Sequence, residues 1–228
     1  MIAAALRTWV RYLVPFTALS ALVFAPLLWF VARLPVPVDA THARTVFSLS
    51  WVIAGGAWFA QFTLVAAVAP AARAMANGEP LSQLRAFARG ATNLLVMALP
   101  CAVAVIAIVI GGFALVVPGL ALVVLLALTG ASTEPGLPAP LLDSVAVSRA
   151  NLRVVVIAVV AIVGADQAVS AIAYFALAQP LPAKPTFEQL AVARRAVRLI
   201  SLALVAASPL AATVLATIRA RTANQVAT

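Results

Sequence analysis

From Gly90 to Thr133 the chain carries no formal charge, and thirty-five of these residues, Leu94 to Leu128, are dominated by Leu, Val, Ile and Ala. As one α-helix that segment would be roughly 52 Å long at about 1.5 Å per residue, whereas the hydrocarbon core of a bilayer is about 30 Å thick. Tilting does not absorb so large an excess. The run therefore predicts two helices with a break between them. Pro118 has no N–H to donate and disfavours helix at Val117, and Gly119 tolerates the φ values of a tight turn, so Val117 to Gly119 is the favoured break. Gly111 and Gly112 are the rival, which would leave a second helix kinked at Pro118.

The rest of the chain matches this segment. Hydrophobic residues make up 65% of its 228 residues and charged ones 9%, and mean hydropathy is +1.13. One soluble core cannot hide that much apolar surface, but several spans in lipid need not hide it. The expectation is an all-α polytopic transmembrane bundle forming a single domain over residues 1–228. Its spans are expected at about 12–32, 46–72, 94–116, 119–132, 154–177 and 199–218, six in all.

The first span follows "MIAAALRTWVRY", which has the charge pattern of a signal peptide. Its 21 apolar residues exceed the about 7 to 15 of a cleaved signal, which points to an uncleaved span. The second ends at "NGEP", Asn77 to Pro80, a strong helix stop. Next, Leu81, Leu84 and Phe87 share a helical face beside Arg85 and Arg89, which suggests a short interfacial helix leading into the third span. A second such piece is expected from Leu141 to Arg153, after the proline-rich loop around Glu134. "QPLPAKP" ends the fifth span, and Pro209 is an expected kink in the sixth.

Orientation follows from the distribution of basic residues, which gather in cytoplasmic loops. With the N-terminus inside, the cytoplasmic side holds Arg7, Arg11, Arg73, Arg85, Arg89, Arg149, Arg153, Arg219 and Arg221, nine residues. The other side holds Arg33, Arg44, Lys184, Arg194, Arg195 and Arg198, six residues. Both termini are therefore expected in the cytoplasm, in a bacterial-type inner membrane. The same rule accounts for the net charge of +9 without a nucleic-acid partner. Trp9, Tyr12 and Trp29 fall near the ends of the first span, where interfacial aromatics belong.

Several of these segments resemble a known family. "VVPGLAL" after a long apolar helix, followed by "SVAVSRAN" at Ser144 to Asn151, resembles the Pro-Gly turn and the serine-led segment of the YciC-like proteins, which are related to the membrane domain beside some glycerophosphoryl diester phosphodiesterases. "NGEPLSQLRAFARGATNLL" is similar to their helix between spans two and three, and "LATIRART" to their closing segment. Ala150 stands where the family pattern has Gly. The resemblance implies six transmembrane helices with the Pro-Gly turn between the third and fourth, and it implies no reaction.

The residues for catalysis are scarce. A metal site needs three or four His, Cys, Asp or Glu ligands, but the chain has one His, one Cys and six scattered acids. A serine nucleophile needs a base and a shaped turn, and His42 belongs to the first outer loop. An intramembrane aspartyl protease needs two facing carboxylates, and only Asp166 lies within an expected span. No phosphate-binding loop or dinucleotide fingerprint occurs. No catalytic residue, metal site or cofactor is assigned, and the chain is not expected to be an enzyme.

Asp166 asks for a reason, because an ionisable group about 20 Å into a span is costly and usually paired. An ion pair with Arg198 across the fifth and sixth spans is the first reading. A polar membrane site made with Gln61, Gln167 and Ser170 is the alternative, and it would suit a small transporter or permease subunit. Gln61 can instead serve packing by hydrogen-bonding to a neighbouring helix. Arg85, Arg89, Arg149 and Arg153 are candidate contacts for anionic lipids or a membrane-protein partner. The function expected is a non-catalytic membrane protein that organises lipids or a membrane complex.

Overall fold

A computed structural model describes the backbone of residues 2–33, 40–114, 116–134, 136–177 and 186–226, and their side chains except those of 40–51, 54, 113–114, 116, 165–177, 187, 190–204 and 223–226. Among the described residues the chain is helical and has no strand. The helices are α1 (Ile2–Arg11), α2 (Leu13–Ala32), α3 (Ala40–Ala76), α4 (Gln83–Ala114), α5 (Val116–Leu126), α6 (Ala139–Ala150), α7 (Leu152–Leu177) and α8 (Phe187–Val226). A 3-10 turn at Thr129–Ala131 follows α5.

Three helical segments among the described residues are long and apolar enough to cross a membrane: Leu13–Ala32, Gly55–Ala76 and Gln83–Gly112. A fourth is added if Ala139–Ala150 and Leu152–Gly164, bent by 103° at Asn151, count as one broken span. Apolar side chains point away from the protein, with Leu95, Leu99, Ile106 and Ile110 along α4 each more than half exposed. Such a surface suits lipid, and the chain is membrane-embedded.

The bundle is built around α3. Its Ala-rich stretch from Ala60 to Ala72 is buried along most of its length, because small side chains let neighbouring helices approach its backbone closely. α4 approaches at Gly90, where a Cβ would lie 2.5 Å from the Ala67 carbonyl oxygen. Asn93 Nδ2 donates to the Ala66 carbonyl at 2.7 Å just beyond. The 3-10 turn approaches at Gly130, whose Cβ would collide with the Phe62 carbonyl. α2 and α8 are joined by Ser20 Oγ, which donates to the Val205 carbonyl at 2.7 Å in a buried setting. α8 also packs along α3 and α1.

The "NGEP" stop acts through backbone geometry. Gly78 takes φ +77°, Glu79 N–H donates to the Ala74 carbonyl at 2.9 Å, and Gly78 N–H donates to the Met75 carbonyl at 3.3 Å. These two bonds are a Schellman closure, which satisfies carbonyls that the end of α3 would otherwise leave unpaired.

The break in the long apolar run lies elsewhere than expected. α4 ends at Ala114 and α5 begins at Val116, so Val117, Pro118 and Gly119 form the first turn of α5 instead of the turn between helices. Proline is tolerated there because a first-turn N–H has no intrahelical partner to lose. Both candidate break points contribute: a Cβ on Gly119 would meet Gly112 Cα at 2.7 Å, so glycines from the two helices permit their close crossing. α5 has 11 residues and a length of about 16 Å, short of the roughly 30 Å hydrocarbon core. Even so, Gly130 lies against α3 and Arg73 Nη1 donates to the Ser132 carbonyl at 3.4 Å. The chain thereby returns to the end of the bundle where α3 stops and α4 starts.

The two expected interfacial pieces fare differently. The segment around Arg85 and Arg89 is the first part of α4, continuous with the apolar helix, because nothing between Gln83 and Pro100 interrupts the backbone ladder and Gly90 is fixed by α3. Its 32 residues reach about 48 Å, so its basic end projects past the hydrocarbon thickness. The Leu141 to Arg153 piece is, as expected, a separate helix, α6, but it ends at the sharp bend at Asn151, which puts Arg153 on α7. The expected fifth and sixth spans fall on α7 and α8, large parts of which lie outside the described side chains, and α8 runs unbroken through Pro209.

Candidate functional site

The termini of α1, α3, α4, α6 and α8 meet at one end of the bundle, and most of the described arginines are there. Tyr12, in the break between α1 and α2, is buried and its Oη donates to the Leu81 carbonyl at 3.0 Å. Gln83 Nε2 donates to the Arg11 carbonyl, which ties the start of α4 to the end of α1. Tyr12 is therefore not an interfacial aromatic: it is a buried joint between two helices. Trp9 is half-buried with its Nε1 unpartnered. Trp29 does face outward, with the Arg33 guanidinium 4.4 Å over its ring.

The residues before the first expected span form a helix of their own, α1. Ala5 and Thr8 face the bundle, Ile2, Leu6 and Val10 form an exposed apolar stripe, and Arg7 and Arg11 lie one turn apart. That division into faces suits a helix lying at a membrane surface, with its apolar stripe toward acyl chains and its arginines among headgroups.

At the same end, Asp143 of α6 accepts two bonds from Arg219 of α8: Nη2 to Oδ1 at 3.0 Å and Nε to Oδ2 at 3.2 Å. Their side chains are 11% and 17% exposed, so the pair is largely withdrawn from water. Arg73 of α3 is close enough to Arg219 for the two guanidinium groups to repel. One carboxylate thus serves a site with two cations. The Ser132 carbonyl supplies Arg73 with a neutral acceptor only.

Two cavities open beside this cluster. The first, about 640 Å³, lies between the end of α3 and the start of α4 and is lined by Arg73, Glu79, Arg89, Thr92 and Asn93, among others. The second, about 460 Å³, lies between α1, α3 and α8 and is lined by Arg7, Thr8, Ala72, Met75, Thr217 and Arg221, among others. Both fall in the range of about 300 to 1,000 Å³ usual for small-molecule sites.

The residues singled out from sequence distribute as follows. Arg85 and Arg89 are exposed in the first turns of α4, and Arg149 and Arg153 are exposed on either side of the α6–α7 bend. Arg89 lines the first of the two cavities. Gln61 is half-buried on α3, and its Nε2 is buried without a hydrogen-bond partner. Asp166 and Gln167 belong to α7 and Arg198 to α8, but their side chains lie outside the described residues, and so does the pairing expected of them. His42 likewise has no described side chain. Among the described residues no three of His, Cys, Asp or Glu come together.

Sequence reading did not single out Asp143, Arg219, Arg73, Arg7, Thr217 or Arg221 as a group. Asp143 and Arg219 are separated by 76 positions with no local pattern joining them. The available signal was the count of arginines on the expected inner side, which marked the right end of the bundle without marking the contacts. No protein-family model, curated protein or solved structure matches the chain.

Proposed function

We propose that the protein is a non-catalytic, multi-pass protein of a bacterial-type inner membrane that gathers anionic lipid headgroups at its basic, cytoplasmic end. Six hydrophobic segments, similar in order to those of the YciC-like family, carry the chain through the bilayer with both termini inside. In this reading the fourth segment, α5, is a short return leg wedged against α3.

The observation that carries the proposal is a charge imbalance. The helix ends and turns that this reading places inside hold nine arginines against Glu79, Glu134 and Asp143. Among the described residues, only Asp143 of those acids is in an ion pair. Unmatched basic residues beside lipid-facing helices attract anionic lipid at about 1 kcal/mol per residue near the surface. The exposed apolar stripe of α1 would seat that helix in the same headgroup layer. Other membrane proteins bearing acidic surfaces are the second class of partner this end would accept.

The test compares the full-length protein with R85Q/R89Q/R149Q/R153Q in nanodiscs of mixed phosphatidylcholine and phosphatidylglycerol. Phosphatidylglycerol should be enriched around the wild-type protein, and the variant should lose most of that enrichment. Equal enrichment around both proteins would refute the proposal.

A further inference from the structure

The cavity between α1, α3 and α8 has features that general attraction to a charged surface does not require. Arg7 from α1 and Arg221 from α8 both line it, both are exposed, and neither has an acidic partner among the described residues. Two guanidinium groups on one cavity make it positive, and although solvent screens their mutual repulsion, an anion bound between them would meet both.

Thr217 lines the same cavity from α8. It is 4% exposed and its hydroxyl has no hydrogen-bond partner. This is unusual for α8: Thr213 donates to the Pro209 carbonyl at 2.6 Å and Thr222 to the Ile218 carbonyl at 3.0 Å, the usual four-residue back-bond of a helical threonine. Thr8, across the cavity, is likewise occupied, donating to the Ala4 carbonyl at 2.9 Å. A buried hydroxyl without a partner is costly, so the Thr217 hydroxyl is a donor held in reserve on the α8 side of a cavity that two cations line.

We infer that this cavity binds a phosphate monoester, with Arg7 and Arg221 gripping its oxygens from opposite helices and Thr217 donating a further hydrogen bond. A phosphate monoester carries about −1.5 to −2 charges and three terminal oxygens near neutral pH, which matches two guanidinium forks and a hydroxyl. A diester carries one charge and leaves one arginine unmatched. The volume of about 460 Å³ has room for more than a bare ion. A ligand there would join the first helix to the last, fixing α1 onto the bundle. The inference rests on the reading that this end of the bundle meets phosphate-rich headgroups. The monoester has two sources, a lipid of the phosphatidic acid type and free inorganic phosphate.

The experiment uses the full chain in phosphatidylcholine nanodiscs, alone, with dioleoyl phosphatidic acid, with dioleoyl phosphatidylglycerol, or with inorganic phosphate in the buffer. Bound lipid is counted by native mass spectrometry and stability is followed by thermal unfolding. Phosphatidic acid should raise the unfolding temperature more than phosphatidylglycerol does. A shift with inorganic phosphate alone would assign the site to the soluble ion. R7Q/R221Q should weaken phosphatidic acid binding about tenfold or more for each arginine, the loss expected for a charge-assisted hydrogen-bonding group. T217V, which keeps both charges and the side-chain shape, should weaken it to a smaller extent, and it decides the matter if the double variant does not fold. Equal shifts with phosphatidic acid and phosphatidylglycerol, or binding unaffected in these variants, would overturn the inference. Failure of the surface reading looks different: phosphatidylglycerol enrichment is then the same for R85Q/R89Q/R149Q/R153Q and wild type while the arginine-dependent phosphatidic acid shift persists.

Discussion

Arg219 holds Asp143 by two parallel hydrogen bonds at 3.0 and 3.2 Å, and this contact fastens the end of α8 to α6. Removing one member of such a pair leaves the other charge withdrawn from water without compensation. Asp143→Asn should therefore destabilise the protein by about 3 kcal/mol, the lower part of the range for breaking a buried pair from one side. It also leaves Arg219 and Arg73 as unneutralised neighbours. The reversal D143R/R219D should recover part of the loss, because it restores opposite charges across the same gap. Thermal unfolding in detergent gives both values, and a reversal as unstable as the single variant would mean that shape rather than charge is what matters there.

Glycine positions give a second, sharper set of expectations. Gly90→Ala would push a methyl group to 2.5 Å from the Ala67 carbonyl oxygen, against backbone that cannot yield easily. A loss of about 1 to 3 kcal/mol is expected, as for overpacking in a close-packed core. Gly130→Ala should cost at least as much, since its contact with the Phe62 carbonyl is tighter.

Gly112 and Gly119 should respond differently although they face each other. A Cβ on Gly119 would meet Gly112 Cα at 2.7 Å, whereas a Cβ on Gly112 would meet nothing within 4 Å. Gly119→Ala should loosen the α4–α5 crossing, and Gly112→Ala should be neutral or add up to about 1 kcal/mol through better helix propensity. The ratio of folded to aggregated protein after detergent extraction distinguishes them.

These contrasts also indicate what the sequence could disclose. Composition and run lengths were enough for a helical membrane protein, and "NGEP" marked the end of α3 because Gly-specific backbone geometry leaves a local signature. The Pro-Gly pair at Pro118 and Gly119 was a weaker guide. Proline costs a hydrogen bond in a helix interior but none in a first turn, so the same residues fit a turn or the start of α5, and the choice depended on packing against Gly111 and Gly112. The separation of α1 from α2 was not legible, since it rests on Tyr12 reaching the Leu81 carbonyl 69 positions away. The same holds for the basic end: its arginines can be counted in the sequence, but only the fold brings Arg7 and Arg221 to one cavity and Asp143 beside Arg219.

The single cysteine offers an accessibility check. Cys101 is fully buried on the inner side of α4. It should resist both water-soluble and lipid-soluble maleimides in the folded protein and react once the protein is denatured. Rapid labelling of the native protein would show that α4 turns a different face to α3.

The most direct test of the account is topology. Reporter fusions placed after Ala76, Gly136 and Thr228 sample the ends of α3, the loop before α6 and the chain's end, all of which the account assigns to the basic, cytoplasmic side. All three should report cytoplasm. A signal from the opposite side at any one of them would contradict the six-segment arrangement and separate the arginines that the proposed lipid contacts require together.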